Sequence, residues 1–132
     1  MSDAPAAPRA IVAGHGGFAD GLVSAVQLIT GRGDLLVPFS AKGLSGVDIE
    51  GSLRRLASDR GLRVVFTDLQ AGSCTMAARK ALRGMGDHVL VAGVNLPMLI
   101  DFVFGDQLSA TDAARHAFER GRTAMSLIEG KP

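Results

Sequence analysis

Four short apolar runs punctuate the chain, and the segments between them carry apolar residues at helical spacing. The runs are Ala10-Ile11-Val12-Ala13, Leu35-Leu36-Val37, Arg63-Val64-Val65-Phe66-Thr67 and His88-Val89-Leu90-Val91-Ala92. They lack the in–out alternation of half-exposed strands, so each predicts a strand covered on both faces. Strands that alternate with helices imply βαβ units with right-handed crossovers and a mostly parallel sheet. The expected fold is therefore a single α/β domain over residues 10–130, its helices lying on both faces of the sheet. Residues 1–9, rich in Ala and Pro, read as a flexible leader.

The segments between the runs specify the helices. Phe18 to Thr30 carries Leu22, Val26 and Ile29 on one face, and Gly31 follows as a stop. Pro38 is expected to end the second strand, since it has no amide to give a ladder. Ser45 can cap a helix whose buried stripe is Ile49, Leu53 and Leu56, with Asp48 in its first turn. A loop from Leu69 to Ser73 leads into a helix through about Leu82. Pro97 predicts the first turn of the next helix, which continues to Phe104. Ser109 to Asp112 opens a last helix that places Ala113, Ala117, Met125 and Ile128 on its apolar side and ends at Gly130.

Composition narrows the function. A formal net charge of +1 gives no general attraction to nucleic acid or an anionic membrane. Trp and Tyr are absent, which argues against a base-stacking platform. With Cys74 as the lone cysteine, no disulfide can form within the chain. No signal-peptide pattern or apolar stretch of about 18 residues is present. A cytoplasmic protein without direct membrane insertion is expected.

The chemistry is expected where open α/β sheets place their ligands, beyond the carboxyl ends of the strands at the point where strand order reverses. For the flavodoxin-like order 2-1-3-4, that point lies between the first and third strands. His15 directly follows the first and Asp68 the third, so the topology should bring these distant residues together. A carboxylate on one ring nitrogen fixes the imidazole tautomer and favours the charge that develops as the other nitrogen attacks. Gly14, Gly16 and Gly17 leave room for a partner and for close backbone approach. Helix N-termini after His15 and after Gly72-Ser73 can face a phosphate, each interaction worth about 0.3–1 kcal/mol when exposed.

Other chemistries fit poorly. Cys74 near a helix start invites a thiolate reading, but Arg79 falls one position too early for a phosphatase-type loop. Lys80, in the required place, lacks the guanidinium fork. There is no nucleotide-binding glycine loop, and no metal-ligand cluster is evident. No cofactor is expected. His88 and His116 read as ordinary surface residues.

Three segments carry a resemblance. Ile11-Val12-Ala13-Gly14-His15-Gly16 looks like the active-site segment of mannose-family enzyme IIA proteins of the bacterial phosphoenolpyruvate-dependent phosphotransferase system. Thr67-Asp68-Leu69-Gln70-Ala71-Gly72-Ser73 resembles that family's second loop, and Ala92-Gly93-Val94-Asn95-Leu96-Pro97-Met98-Leu99 its third signature. The resemblance implies that His15 accepts phosphate from HPr and passes it to an enzyme IIB component during sugar uptake. It implies further that Asp68 supports the imidazole and that Gly72 and Ser73 belong to a phosphate-binding loop. A homodimer is implied as well, in some relatives completed by a segment exchanged between subunits. Ala71 departs from the family's usual glycine and Cys74 from its usual apolar residue or proline, which bears on loop geometry. A regulatory phospho-acceptor controlling a kinase or transcription regulator is the alternative function. The phosphocarrier domain serving dihydroxyacetone kinase shares the fold, but the segment from Gly93 to Met98 favours the mannose family.

Overall fold

The computed structural model describes residues 7–132. Among them the chain forms strands β1 (Ala10–Gly14), β2 (Leu36–Ser40), β3 (Val64–Thr67) and β4 (Val89–Ala92). The helices are α1 (Phe18–Thr30), α2 (Gly46–Asp59), α3 (Ser73–Ala81), α4 (Leu96–Val103) and α5 (Ala110–Arg122). The strands pair in parallel in the order β2-β1-β3-β4, as the sequence predicts. No helix among the described residues is long and apolar enough to cross a membrane.

Alternate side chains of the two central strands feed two separate cores, which is why their sequences carry no polar face. Ala10, Val12, Val64 and Phe66 pack with α1, α4 and α5. Ile11, Ala13 and Val65 pack with α2 and α3. In the first core Phe66 meets Phe102 edge to face, ring centres 5.1 Å apart.

Local signals set most boundaries. Gly31 closes α1 in a left-handed conformation at φ 73°. Ser45 and Asp48 form a reciprocal capping box at the start of α2. Asn95 caps α4, accepting from Met98 N at 3.0 Å, and Pro97 sits in its first turn.

Three expectations need correction. Pro38 does not end the second strand: β2 runs on to Ser40, with Pro38 paired in register with Val12. Because β2 is an edge strand, half its amides have no ladder partner and proline is tolerated. Ile29 is exposed, leaving Val26 as the buried anchor of α1. The last helix stops at Arg122, so Met125 and Ile128 lie beyond it at 82% and 87% exposure. There Asn95 Nδ2 donates to Gly121 O, and the Thr123 hydroxyl donates to the carbonyls of Glu119 and Arg120. These bonds compete with a further helical turn.

The expected leader falls mostly on residues 1–6, outside the described ones. Arg9 is fixed: its amide donates to Leu35 O at 2.8 Å, and its guanidinium reaches the carbonyls of Gly105 and Leu108.

Candidate functional site

The site follows from strand register. Ala13 of β1 lies opposite Thr67 of β3, so the residues leaving these neighbouring strands emerge side by side. From Gly14 the chain turns through His15-Gly16-Gly17 into α1, with Gly16 in the left-handed region at φ 52°. Asp68 leaves β3 toward the same point. Its Oδ2 accepts from the His15 amide at 2.9 Å and lies 2.6 Å from Nδ1 of the ring. The other oxygen, Oδ1, accepts from the Leu69 amide at 3.0 Å. Ser73, the first residue of α3, places Oγ 3.2 Å from Nε2.

These contacts assign the tautomer. Burial opposes ionisation of Asp68, but the hydrogen bonds from the His15 ring and backbone, with electrostatic attraction to the ring, hold its pKa below the ordinary value. An ionised carboxylate only accepts, so Nδ1 carries the proton that faces it. Nε2 is then left with a free lone pair, to which the Ser73 hydroxyl donates. The geometry sets a buried orienting group beneath an open acceptor: the Asp68 side chain is 9% exposed, that of His15 54%.

The neighbouring glycines are needed for closeness. A Cβ on Gly14 would fall 2.6 Å from Phe18 Cδ1 and 3.2 Å from Asp68 Oδ2. One on Gly72 would fall 2.8 Å from Leu69 Cδ2 and 3.2 Å from His15 Cε1. Gly72 itself has φ −80°, and among the described residues none other than glycine has positive φ. Ala71 therefore fits the loop without strain. Neither α1 nor α3 has a side-chain cap at its N-terminus. Phe18 N of α1 donates to His15 O, and α3, whose Ser73 meets the imidazole, has first-turn amides that no side chain caps.

His15, Asp68, Gly14, Gly16, Gly72 and Ser73 are thus brought to one place. The Leu69 amide joins them as a donor that no side-chain pattern could reveal. Cys74 does not: burial pushes its thiol pKa up and the Asp68 charge adds to this, the reverse of an activated thiolate. His116 lies elsewhere, exposed on α5 and 2.7 Å from Asp101. His88 is more enclosed than a surface reading allows; burial first, and then the Arg63 charge, lowers its pKa. Among the described residues no group of three or more His, Cys, Asp or Glu is placed to hold a metal ion.

Comparison with known proteins gives the same direction. Residues 9–119 match the family model described as the fructose IIA component of the phosphotransferase system. Among solved structures, the phosphotransferase component EIIA from Streptococcus agalactiae is 25% identical over 86% of this chain and 93% of its own, with TM-score 0.70. A mannose/sorbose-specific IIA subunit from Enterococcus faecalis is 21% identical over 96% and 98% of the two chains, with TM-score 0.77. A putative sugar phosphotransferase permease protein from Klebsiella pneumoniae is 24% identical over 96% and 95%, with TM-score 0.76. No curated protein matches the chain significantly.

Proposed function

The chain belongs to the mannose-type enzyme IIA family of the sugar phosphotransferase system, and on that footing we propose that it is a cytoplasmic carrier that takes phosphate from phospho-HPr onto His15 and delivers it to an enzyme IIB component. Membership supports a role in phosphoryl transfer for sugar uptake. The single observation behind the residue assignment is the His15 ring held between Asp68 at Nδ1 and Ser73 at Nε2.

In the proposed step Nε2 attacks phosphorus in line as the phosphorus–nitrogen bond on the donor breaks. Nδ1 keeps its proton, and Asp68 offsets the positive charge that grows on the ring. The Ser73 hydroxyl, no longer able to donate to a substituted Nε2, turns to a phosphoryl oxygen beside the free amides of α3. Positioning and charge stabilisation suffice for such a transfer. The 54% exposure of the imidazole suits an exchange whose other reactant is carried by a protein.

We further propose a homodimer in which each chain's last residues complete the partner's sheet. Among the described residues β4 has no strand beyond it, and residues 124–132 run on past α5 without regular structure, with Met125, Leu127 and Ile128 more than four-fifths exposed. Such an edge and such a segment each leave backbone or apolar surface uncovered.

The decisive experiment incubates the purified protein with phosphoenolpyruvate, enzyme I and HPr. The expected product is one acid-labile, base-stable phosphate per chain, absent in His15→Ala and discharged on adding IIB. A label that survives His15→Ala would move the acceptor elsewhere. One that persists with every IIB component offered would replace the transport role with the regulatory one.

A further inference from the structure

A buried pair of hydroxyls lies beneath the acceptor site. Thr67, the last residue of β3, is fully buried, and Thr75, in the first turn of α3, is 3% exposed. Their Oγ1 atoms are 2.6 Å apart, and Thr75 Oγ1 is 2.5 Å from Leu69 O. The direction of these bonds is fixed by proton count. Leu69 O has no proton, so the Thr75 hydroxyl must donate to it, and the Thr67 hydroxyl must then donate to Thr75. The chain of contacts continues outward. Leu69 N–H donates to Asp68 Oδ1, and Asp68 Oδ2 holds both the amide and Nδ1 of His15. One residue, Leu69, is thus gripped through its carbonyl by the buried pair while its amide holds the carboxylate that orients the imidazole.

We infer that the Thr67–Thr75 pair is a positioning device for the phosphoryl acceptor, acting through Leu69 and Asp68. The inference rests on the carrier reading of His15 and deepens it. The contact between the two side chains does not itself call for hydroxyls, because two apolar groups of the same shape can replace a buried hydrogen-bonded pair at nearly neutral cost; what would lose its donor is the Leu69 carbonyl. What the hydroxyls add is a fixed peptide orientation at residue 69. The bond otherwise available to that carbonyl, from Gly72 N, is long at 3.5 Å and does little to fix it. The carbonyl belongs to the 69–70 peptide and the amide to the 68–69 peptide, so the grip acts through the Leu69 Cα that joins them. Without the Thr75 hydroxyl that Cα loses its anchor, the preceding peptide shifts, its amide leaves Asp68, and the carboxylate loses the constraint that aims Nδ1. Small misplacements of this kind slow chemistry without weakening docking.

The test compares the wild type with Thr75→Val, Thr75→Ser and the double variant Thr67→Val/Thr75→Val. Three readouts are taken: the steady-state kinetics of phosphoryl uptake from phospho-HPr, thermal unfolding, and the imidazole nitrogen-15 spectrum of His15 in the unphosphorylated protein. Thr75→Val is expected to lower kcat about tenfold or more with KM for phospho-HPr unchanged, and to give a mixed-tautomer signal where the wild type has Nδ1 protonated. Thr75→Ser should restore both. The double variant, which removes the orphaned Thr67 hydroxyl and leaves only the Leu69 carbonyl short of its donor, should regain part of the thermal stability but neither kcat nor the single tautomer. Recovery of all three would overturn the inference, leaving the pair a packing feature. Should Thr75→Val not fold, the double variant carries the test alone. The spectrum needs no partner protein, so a wild type that takes no label at His15 defeats the carrier reading, whereas an unchanged tautomer in the valine variants defeats this one.

Discussion

An amide in place of the Asp68 carboxylate would keep the shape of the His15 contact but lose its charge and its acceptor-only character. Asn can present either oxygen or nitrogen to the ring, so the tautomer is no longer dictated. Asp68→Asn is expected to slow phosphoryl uptake about tenfold or more, checked by quenched-flow labelling from phospho-HPr. The same variant should alter acid stability in a defined direction. A carboxylate whose pKa is lowered on folding stabilises the native state above its unfolded-state pKa and loses that contribution as pH falls through the folded value. The wild type should therefore hold its full advantage over Asp68→Asn at neutral pH and lose it below about pH 4, as urea titrations at several pH values would reveal. His15 and Asp68 are legible in the sequence because each directly follows a strand, and topology decides what meets at strand ends. Ser73 is not legible in that way; its place came from resemblance to a family loop. The Leu69 amide and the Thr75 hydroxyl leave no pattern at all, since a backbone donor has no letter and a buried threonine reads like any other.

Between strand and helix, the turn at the end of β1 sets how close α1 can come to the carboxylate. Gly14→Ala would drive a methyl into Phe18 and toward Asp68, and overpacking of this kind costs about 1–3 kcal/mol. Gly17→Ala, where a Cβ meets nothing within 4 Å, is the matched control and should unfold near the wild-type temperature. Calorimetry on the two proteins checks the contrast. Helix starts were readable where Ser45 and Ser109 each accept from an amide three residues on and where Pro97 suits a first turn; the Asn95 cap came only with the structure. The end of α5 was not, because Met125 and Ile128 continue its apolar spacing while the cause of its stop is a tertiary bond from Asn95 to Gly121. Pro38 misled for a related reason. Whether a strand lies at an edge is decided by the order of the sheet and not by the strand's own residues.

Two apolar layers, one under α1, α4 and α5 and one under α2 and α3, make the sheet interior self-sufficient, while β4 and the segment past α5 remain unsatisfied. Removal of residues 124–132 is therefore expected to leave cooperative unfolding in place but convert the protein from dimer to monomer, measured by sedimentation velocity. A wild type that sediments as a monomer would remove the exchange. The parallel order could be anticipated because strand–helix alternation and crossover handedness leave few alternatives; the fate of the last nine residues could not, since under the proposed exchange it depends on surface outside the chain. The openness of His15 has its own consequence. A phosphoryl group there would stand within reach of water as well as of a partner, so its bond to the ring would be spent by hydrolysis whenever no recipient arrived. Such a protein cannot bank its charge. On the proposed carrier reading it serves as a relay point, whose occupancy at any moment mirrors the balance between supply from upstream and demand from the permease.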